Sequence, residues 1–235
     1  MSRYDPFPAL PSGPDASALQ SRLANRVELS PLPHGWRMVV GIDLAMGRHS
    51  HLGRAALVVW DRESGTVVEE LTQEGPLDVP YRPGFLAYRE APLILECLER
   101  LRTPPDLLMF DGQGIAHPRG LGIAAHLGVH TGLPSVGVAK SPLFGRWELP
   151  GLEVGCSSPI LAPDGRAIGS VIRSRAGGRP LWVSPGHRCT VADAEAAVLA
   201  CLRGHRLPEP THLADRLSKR RPDLIPEEVD PPFPA

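Results

Sequence analysis

One stretch, residues 105–141 (PDLLMFDGQGIAHPRGLGIAAHLGVHTGLPSVGVAKS), does most to limit what this chain can fold into. It holds two short apolar runs, 107–110 and 135–139, separated by glycines, a proline and a helix-like segment. Apolar runs of that length on either side of a helix read as buried parallel strands in a βαβ unit. Ligands of such units gather at the carboxyl ends of the strands. Asp111 and Lys140 fall at those two ends. Either they form an anion-handling pair on the active edge, or Asp111 opens a turn before Gly112 and Lys140 is a solvated loop cation. The rest of the chain has to decide.

Upstream, residues 37–45 (RMVVGIDLA) read as a first strand whose alternation puts Val39, Gly41 and Asp43 on one face. A carboxylate emerging from an apolar strand needs a cation, a metal or a rich set of donors, and a structural salt bridge would serve equally well. The β-rich runs 54–61 and 66–71 flank Glu63-Ser64-Gly65, a hairpin that completes an antiparallel meander. Prolines 76, 80 and 83 keep residues 75–84 (GPLDVPYRPG) out of regular structure. Such a stiff loop carrying Tyr81 suits a wedge or stacking platform, or is a plain surface connection. Residues 85–102 carry apolar positions at helical spacing and bring Glu90 toward the strand that ends at Asp111.

A short helix is expected over 18–27. Beyond the βαβ unit come a second hairpin around Pro163-Asp164-Gly165 and a strand over 179–183. A helix capped by Thr190 follows over 191–203, then a last helix over 210–220 carrying Asp215. Residues 145–155 fit no regular element. The expected architecture is α/β: a mixed central sheet, three antiparallel strands followed by parallel ones, flanked by helices. A single catalytic domain spans 18–221, between a flexible arm (1–17) and a disordered Pro-rich acidic tail (222–235).

Composition narrows the function less than the strands do. A formal net charge of −1 over 235 residues weakens any reading as a diffusely basic nucleic-acid binder. A site-specific enzyme can still gather its cations on one face, and Arg146, Arg173, Arg175, Arg188 and the run 219–221 are candidate backbone contacts. Lysine occurs only at 140 and 219, so a lysine at a strand end hints at a compact ammonium used for a purpose. The four cysteines show neither CxxC pairing nor zinc spacing, and no apolar run reaches membrane-span length. A reduced, cytoplasmic, non-membrane protein is the expectation.

Asp43, Glu90, Asp111 and Asp215 would meet at one edge of such a sheet. Clustered carboxylates repel unless a cation relieves them, and an all-oxygen set suits Mg²⁺, with Mn²⁺ as a substitute. That chemistry fits phosphoryl transfer, with Lys140 offsetting charge on the phosphate.

Six ordered blocks then resemble the endonuclease V (deoxyinosine 3′ endonuclease) family of the ribonuclease-H-like superfamily. They are GIDLA (41–45), PYRPGFLAYREAP (80–92), DGQGIAHPRGLGIAAHLGV (111–129), GVAKS (137–141), PLWVSPGHR (180–188) and RLPEPTHLADRLS (206–218). The resemblance implies metal-binding roles for Asp43 and Asp111, a catalytic role for Glu90, support from Asp215, and Lys140 beside the scissile phosphate. It implies a wedge at Pro80, Tyr81, Arg82 and Pro83, and a pocket for flipped hypoxanthine near Gly84, Leu86, Gly112 and His117. The implied activity is DNA repair: a Mg²⁺-activated water hydrolyses the second phosphodiester bond 3′ to inosine, leaving 3′-hydroxyl and 5′-phosphate ends. The partner is inosine-containing nucleic acid, DNA first and RNA as the alternative; no segment identifies a protein partner. The continuation Ala45-Met46 and the Gln113 inside DGxG depart from the family pattern. Three rivals remain: a nuclease of the same fold without lesion specificity, a lesion-binding protein that does not cut, and an actin-like sugar kinase. The Pro-Tyr-Arg-Pro loop argues against the first, the full carboxylate set against the second, and the missing glycine-rich adenosine loop against the third.

Overall fold

The computed structural model describes residues 3–11, 14–46, 51–80 and 82–220. The wedge tyrosine, Tyr81, and the expected tail over 222–235 lie outside these residues. Eight strands form one sheet in the order β3-β2-β1-β4-β5-β8-β7-β6. The meander β1 (Met38–Met46), β2 (Leu52–Asp61) and β3 (Thr66–Pro76) is antiparallel. β4 (Leu107–Phe110) and β5 (Ser135–Ala139) then run parallel to β1, on the far side from β2. This is the mixed sheet the sequence implies, and β4 and β5 coincide with the two apolar runs.

Helices cover both faces. On one, α2 (Leu86–Glu99) and α3 (Ile123–Thr131) bury Val40, Ile42, Leu57, Leu108 and Phe110. On the other, α4 (Val191–Ala200) packs on Met109, Val138 and Val183. There α5 (Glu209–Ser218) lies over β1 and β2 through Ala214 and Leu217. Residues one apart on a strand face opposite ways, so β1 offers Val40 and Ile42 to α2 and Val39 and Gly41 to the opposite helical layer.

Several boundaries depart from the sequence reading, each for a local reason. Helix α1 (Pro14–Ala24) starts four residues before the expected 18, with Asp15 in its positive first turn. β3 continues to Pro76 because it is an edge strand, where a missing N–H costs no ladder bond. β6 (Ser157–Leu161) and β7 (Ala167–Ile172) form the expected hairpin. β8 (Leu181–His187) runs well past 183, and a register shift opposite Ser135/Val136 absorbs its Pro185-Gly186 pair. Segment 145–155 is held by the Arg173 guanidinium, which donates to the carbonyls of Pro150 (3.1 Å), Gly151 (3.0 Å) and Gly178. Arg173 is therefore a buried structural pin and not a contact for a nucleic-acid backbone.

The N-terminal segment touches the body. The Phe7 ring lies 4.7 Å from that of His126 and 5.8 Å from that of Tyr88. His126 on α3 is 2% exposed, and neither ring nitrogen has a hydrogen-bond partner among the described residues. Burial, then repulsion from His130 and His117, lowers its pKa to about 3. An unfolded histidine takes up its proton near pH 6.5. The folded-state value is depressed, so this stability is complete above about pH 6.5 and is lost as pH falls toward 3. His126→Leu is expected to flatten the acid limb of a Tm-against-pH profile across that window. An unchanged limb would exonerate His126.

Candidate active site

The register of the parallel strands builds the centre. Ile42 pairs with Phe110, and the Asp111 N–H continues the ladder to the Ile42 carbonyl at 3.0 Å. Asp43 and Asp111 therefore leave adjacent strand ends toward the same face of the sheet. Phe110 pairs with Gly137 on β5, which sets Lys140 on that face just past the strand end. α5 seats across this corner because Gly41 has no side chain: a Cβ there would lie 2.0 Å from the Pro210 carbonyl oxygen. α5 then delivers Asp215, Ser218 and Lys219 on neighbouring turns.

One carboxylate oxygen from each of Asp43, Asp111 and Asp215 lies within 4.8 Å of the other two. The Lys140 ammonium bridges Asp111 (2.5 Å) and Asp215 (2.6 Å), and Lys219 reaches the other Asp215 oxygen at 2.7 Å. The Ser218 hydroxyl donates to Asp43 Oδ2 at 2.6 Å. Burial opposes charge on Asp215, but hydrogen bonds from the two lysines outweigh it and hold its pKa below the usual range. Lys140 is the converse: burial works against the ammonium, and Asp111 and Asp215 raise its pKa above the ordinary lysine value. Asp43 is pushed up to about 6, chiefly by burial and then by the charges of Asp111 and Asp215, against the Ser218 hydrogen bond. Glu90, half-buried on α2, is pushed up to about 8 by burial and then by Asp43 and Asp111. Two carboxyls whose pKa values are pushed up, beside two that are lysine-paired, describe a centre with surplus negative charge. An all-oxygen donor set in that condition fits a hard divalent cation.

A cleft of about 270 Å³ opens directly onto this centre. Its wall includes Gly84, Leu86, Gly112 and His117, and Asp111 and Lys140 of the carboxylate–lysine centre line it as well. Pro83 joins the wall, while Pro80 and Arg82 are exposed on the loop before it. A Cβ on Gly112 would meet the Ile123 side chain at 2.7 Å. The four residues expected at the base pocket, Gly84, Leu86, Gly112 and His117, all line this cleft, and so do others that the sequence did not flag for it, Gln20, Ala87, Leu121, Ile123 and Leu143 among them. The sequence reading also missed Ser218, although Ser218 and Lys219 stand three and four residues after Asp215, the helical spacing that could have flagged them. Lys219 pairs with Asp215, and Arg188 is occupied by Glu28 (3.3 Å) and the Gly132 carbonyl (3.0 Å). Arg146 and Arg175 are exposed.

Carboxylates gathered across the ends of adjacent parallel strands, within a mixed sheet of this order flanked by helices, make an acidic centre that can hold a metal ion, and the proteins this chain is similar to make its class that of a nuclease. The family profile for endonuclease V matches residues 21–216. An endonuclease V from Thermus thermophilus is 48% identical over 215 residues, covering 90% of this chain and 94% of the relative. The crystal structure of endonuclease V from Streptomyces avermitilis superposes with a TM-score of 0.84 at 42% identity, covering 91% and 93% of the two chains. That of Ciona intestinalis endonuclease V, in complex with DNA containing an inosine followed by a ribo-adenosine, superposes at 0.75 with 25% identity, covering 87% and 95%. The chain belongs to the endonuclease V family. Among the described residues, no helix is long and apolar enough to cross a membrane.

Proposed function

We propose that this chain recognises inosine in DNA and hydrolyses the second phosphodiester bond on its 3′ side, leaving 3′-hydroxyl and 5′-phosphate ends. One observation carries the reading: the carboxylate–lysine centre and the glycine-walled cleft are continuous, sharing Asp111 and Lys140. A base turned into the cleft would hold its own strand against the cutting groups. The Ciona complex with inosine-containing DNA supports the choice of lesion. Glycines allow backbone groups to approach the base closely, and a weakly paired inosine costs less to extrude than a normal base.

Asp43 and Asp111 would hold the divalent cation, Mg²⁺ or its substitute Mn²⁺, with Asp215 supporting them from α5. When bound, the cation lowers the pKa of a coordinated water and offsets charge on the phosphate. Ser218 keeps Asp43 oriented through its hydroxyl proton. Lys140, already drawn into the centre by two carboxylates, would turn its ammonium to the phosphate oxygens as charge develops there. Glu90 is held protonated at neutral pH first by burial and then by the charges of Asp43 and Asp111; with those charges offset by a cation, its pKa would fall toward that of a carboxylate proton acceptor. The Pro80–Pro83 loop, with Tyr81, would fill the gap the base leaves.

The test uses an end-labelled duplex with one inosine beside its guanine counterpart, with Mg²⁺ or with chelator. The expected product is a single Mg²⁺-dependent nick at the second 3′ linkage of the inosine strand, absent with Asp43→Ala. With Tyr81→Ala, duplex cutting should weaken by roughly tenfold while the nick position stays. Equal cutting of the guanine strand would leave a nuclease without lesion specificity, and lesion binding without any nick would leave a binding protein.

A further inference from the structure

The second half of the expected wedge, Arg82 and Pro83, opens a tight turn whose geometry is fixed twice. The Phe85 N–H donates to the Arg82 carbonyl at 3.0 Å, with Pro83 and a positive-φ Gly84 (+78°) between them. Proline followed by left-handed glycine is the signature of a type II turn. The Gly84 carbonyl then accepts from three side chains of distant origin: Gln20 Nε2 (3.0 Å), His117 Nε2 (3.0 Å) and Arg119 Nη2 (2.8 Å).

The three donors are themselves cross-linked. Arg119 Nε donates to Gln20 Oε1 at 2.5 Å, and the Arg119 backbone N–H donates to His117 Nδ1 at 3.1 Å. With Nδ1 accepting, the network assigns the proton to Nε2, so His117 is a donor to Gly84. Burial, then the Arg119 charge, lowers its pKa to about 4 and keeps the ring neutral. The Arg119 guanidinium also lies 4.3 Å over the Phe85 ring, one residue beyond the clamped carbonyl. Gln20 is 1% exposed, and both ends of its amide are used. A buried amide satisfied on both sides fixes one geometry and leaves unpaired groups in any other.

We propose that Gln20 and Arg119 are positioning residues that lock the Arg82–Phe85 turn to helix α1 and to the loop after β4, and so set the wedge loop against the base cleft. The proposal rests on the functional reading above and deepens it. Both residues act through the Gly84 carbonyl, and neither belongs to the carboxylate centre. A turn free to shift would still leave the cutting groups in place, but it would open a base pair less well. The loss should therefore appear where a pair must be opened, and largely vanish where none exists.

The experiment compares single-turnover cutting of a duplex with one inosine and of the same strand unpaired, using Gln20→Met, Gln20→Glu and Arg119→Lys. Gln20→Met keeps volume and removes both hydrogen bonds. Gln20→Glu keeps the acceptor for Arg119 but turns an oxygen toward the Gly84 carbonyl. Arg119→Lys, outside the cleft wall, is expected to lower duplex cutting about tenfold while single-strand cutting changes less than about twofold. The Gln20 variants, at a residue that also lines the base cleft, are expected to lower both, and duplex cutting by the larger factor. In chelator, a 2-aminopurine beside the inosine should brighten less on binding the variants than on binding the wild type. An unchanged duplex-to-single-strand ratio, or equal loss on both substrates in a folded variant, would overturn the clamp. Should Gln20→Met fail to fold, the same ratio in Arg119→Lys, which keeps the charge over Phe85, decides. A wild type that cuts inosine and guanine strands alike overturns the functional reading instead, and the 2-aminopurine signal then judges the clamp alone.

Discussion

Asp43→Asn is expected to abolish strand cutting, by at least about 10³-fold, and to raise Tm when measured in chelator. The two effects share a cause. Burial and the charges of Asp111 and Asp215 push the Asp43 pKa up to about 6, so its ionised form is disfavoured in the folded protein. An unfolded aspartate titrates near 3.9, so the folded state loses stability as pH rises from about 4 to 6 and carries the full penalty at pH 7. Asparagine removes that penalty and can still accept from Ser218 through its amide oxygen. After allowance for solvent screening, the gain is on the order of 1–2 kcal/mol, or roughly 3–6 °C in Tm. Added Mg²⁺ should reverse the ranking, because a cation that binds only the folded wild type stabilises it by mass action. Calorimetry with and without Mg²⁺, beside the nicking assay, reads all three results. Retained cutting would remove Asp43 from the centre. A lower Tm in chelator would mean that the carboxylate is stabilising and the surplus-charge account is wrong.

The same centre shows how far sequence alone reaches. Asp43 and Asp111 are legible because strand alternation and strand ends are local properties, and both residues interrupt apolar runs. β4 and β5 are legible for the same reason: strands buried on both faces have no polar phase to confuse them. What the sequence hides is who stands opposite. Ser218 lies 175 residues from Asp43, and Gln20 lies 64 residues from Gly84; neither pairing leaves a local signal. Arg173 misleads because a surface arginine and a buried one have the same letter. Only the fold shows that three backbone carbonyls surround its guanidinium. β8 looked short because Pro185 removes a donor, and a bulge that accommodates it depends on the neighbouring strand. The six blocks supplied what spacing could not, since shared ancestry preserves pairings that local pattern does not encode.

Gly41→Ala is expected to be the most damaging single-methyl change near the centre. Its Cβ would fall 2.0 Å from the Pro210 oxygen, 2.1 Å from the Pro210 carbonyl carbon and 2.7 Å from the Thr211 nitrogen. These are backbone atoms at the start of α5, so no side chain can rotate away and the helix itself must lift from β1. Forced overpacking of this kind costs about 1–3 kcal/mol or more, a Tm loss of roughly 4–10 °C. The functional loss should exceed the stability loss, because α5 carries Asp215, Ser218 and Lys219 against residues on the sheet. Lifting it would take the hydroxyl from Asp43 and the second carboxylate from Lys140 while leaving Asp43 and Asp111 on their strands. Below the lowered Tm, the folded variant should need a higher Mg²⁺ concentration for half-maximal cutting and cut at least about tenfold more slowly when saturated. Misplacement of a supporting element predicts both changes together; simple destabilisation predicts neither in the folded fraction. A Gly41→Ala protein with the wild-type Tm and the wild-type Mg²⁺ midpoint would show that α5 does not rest on β1 at this residue, and the geometry assigned to Asp215 would fall with it.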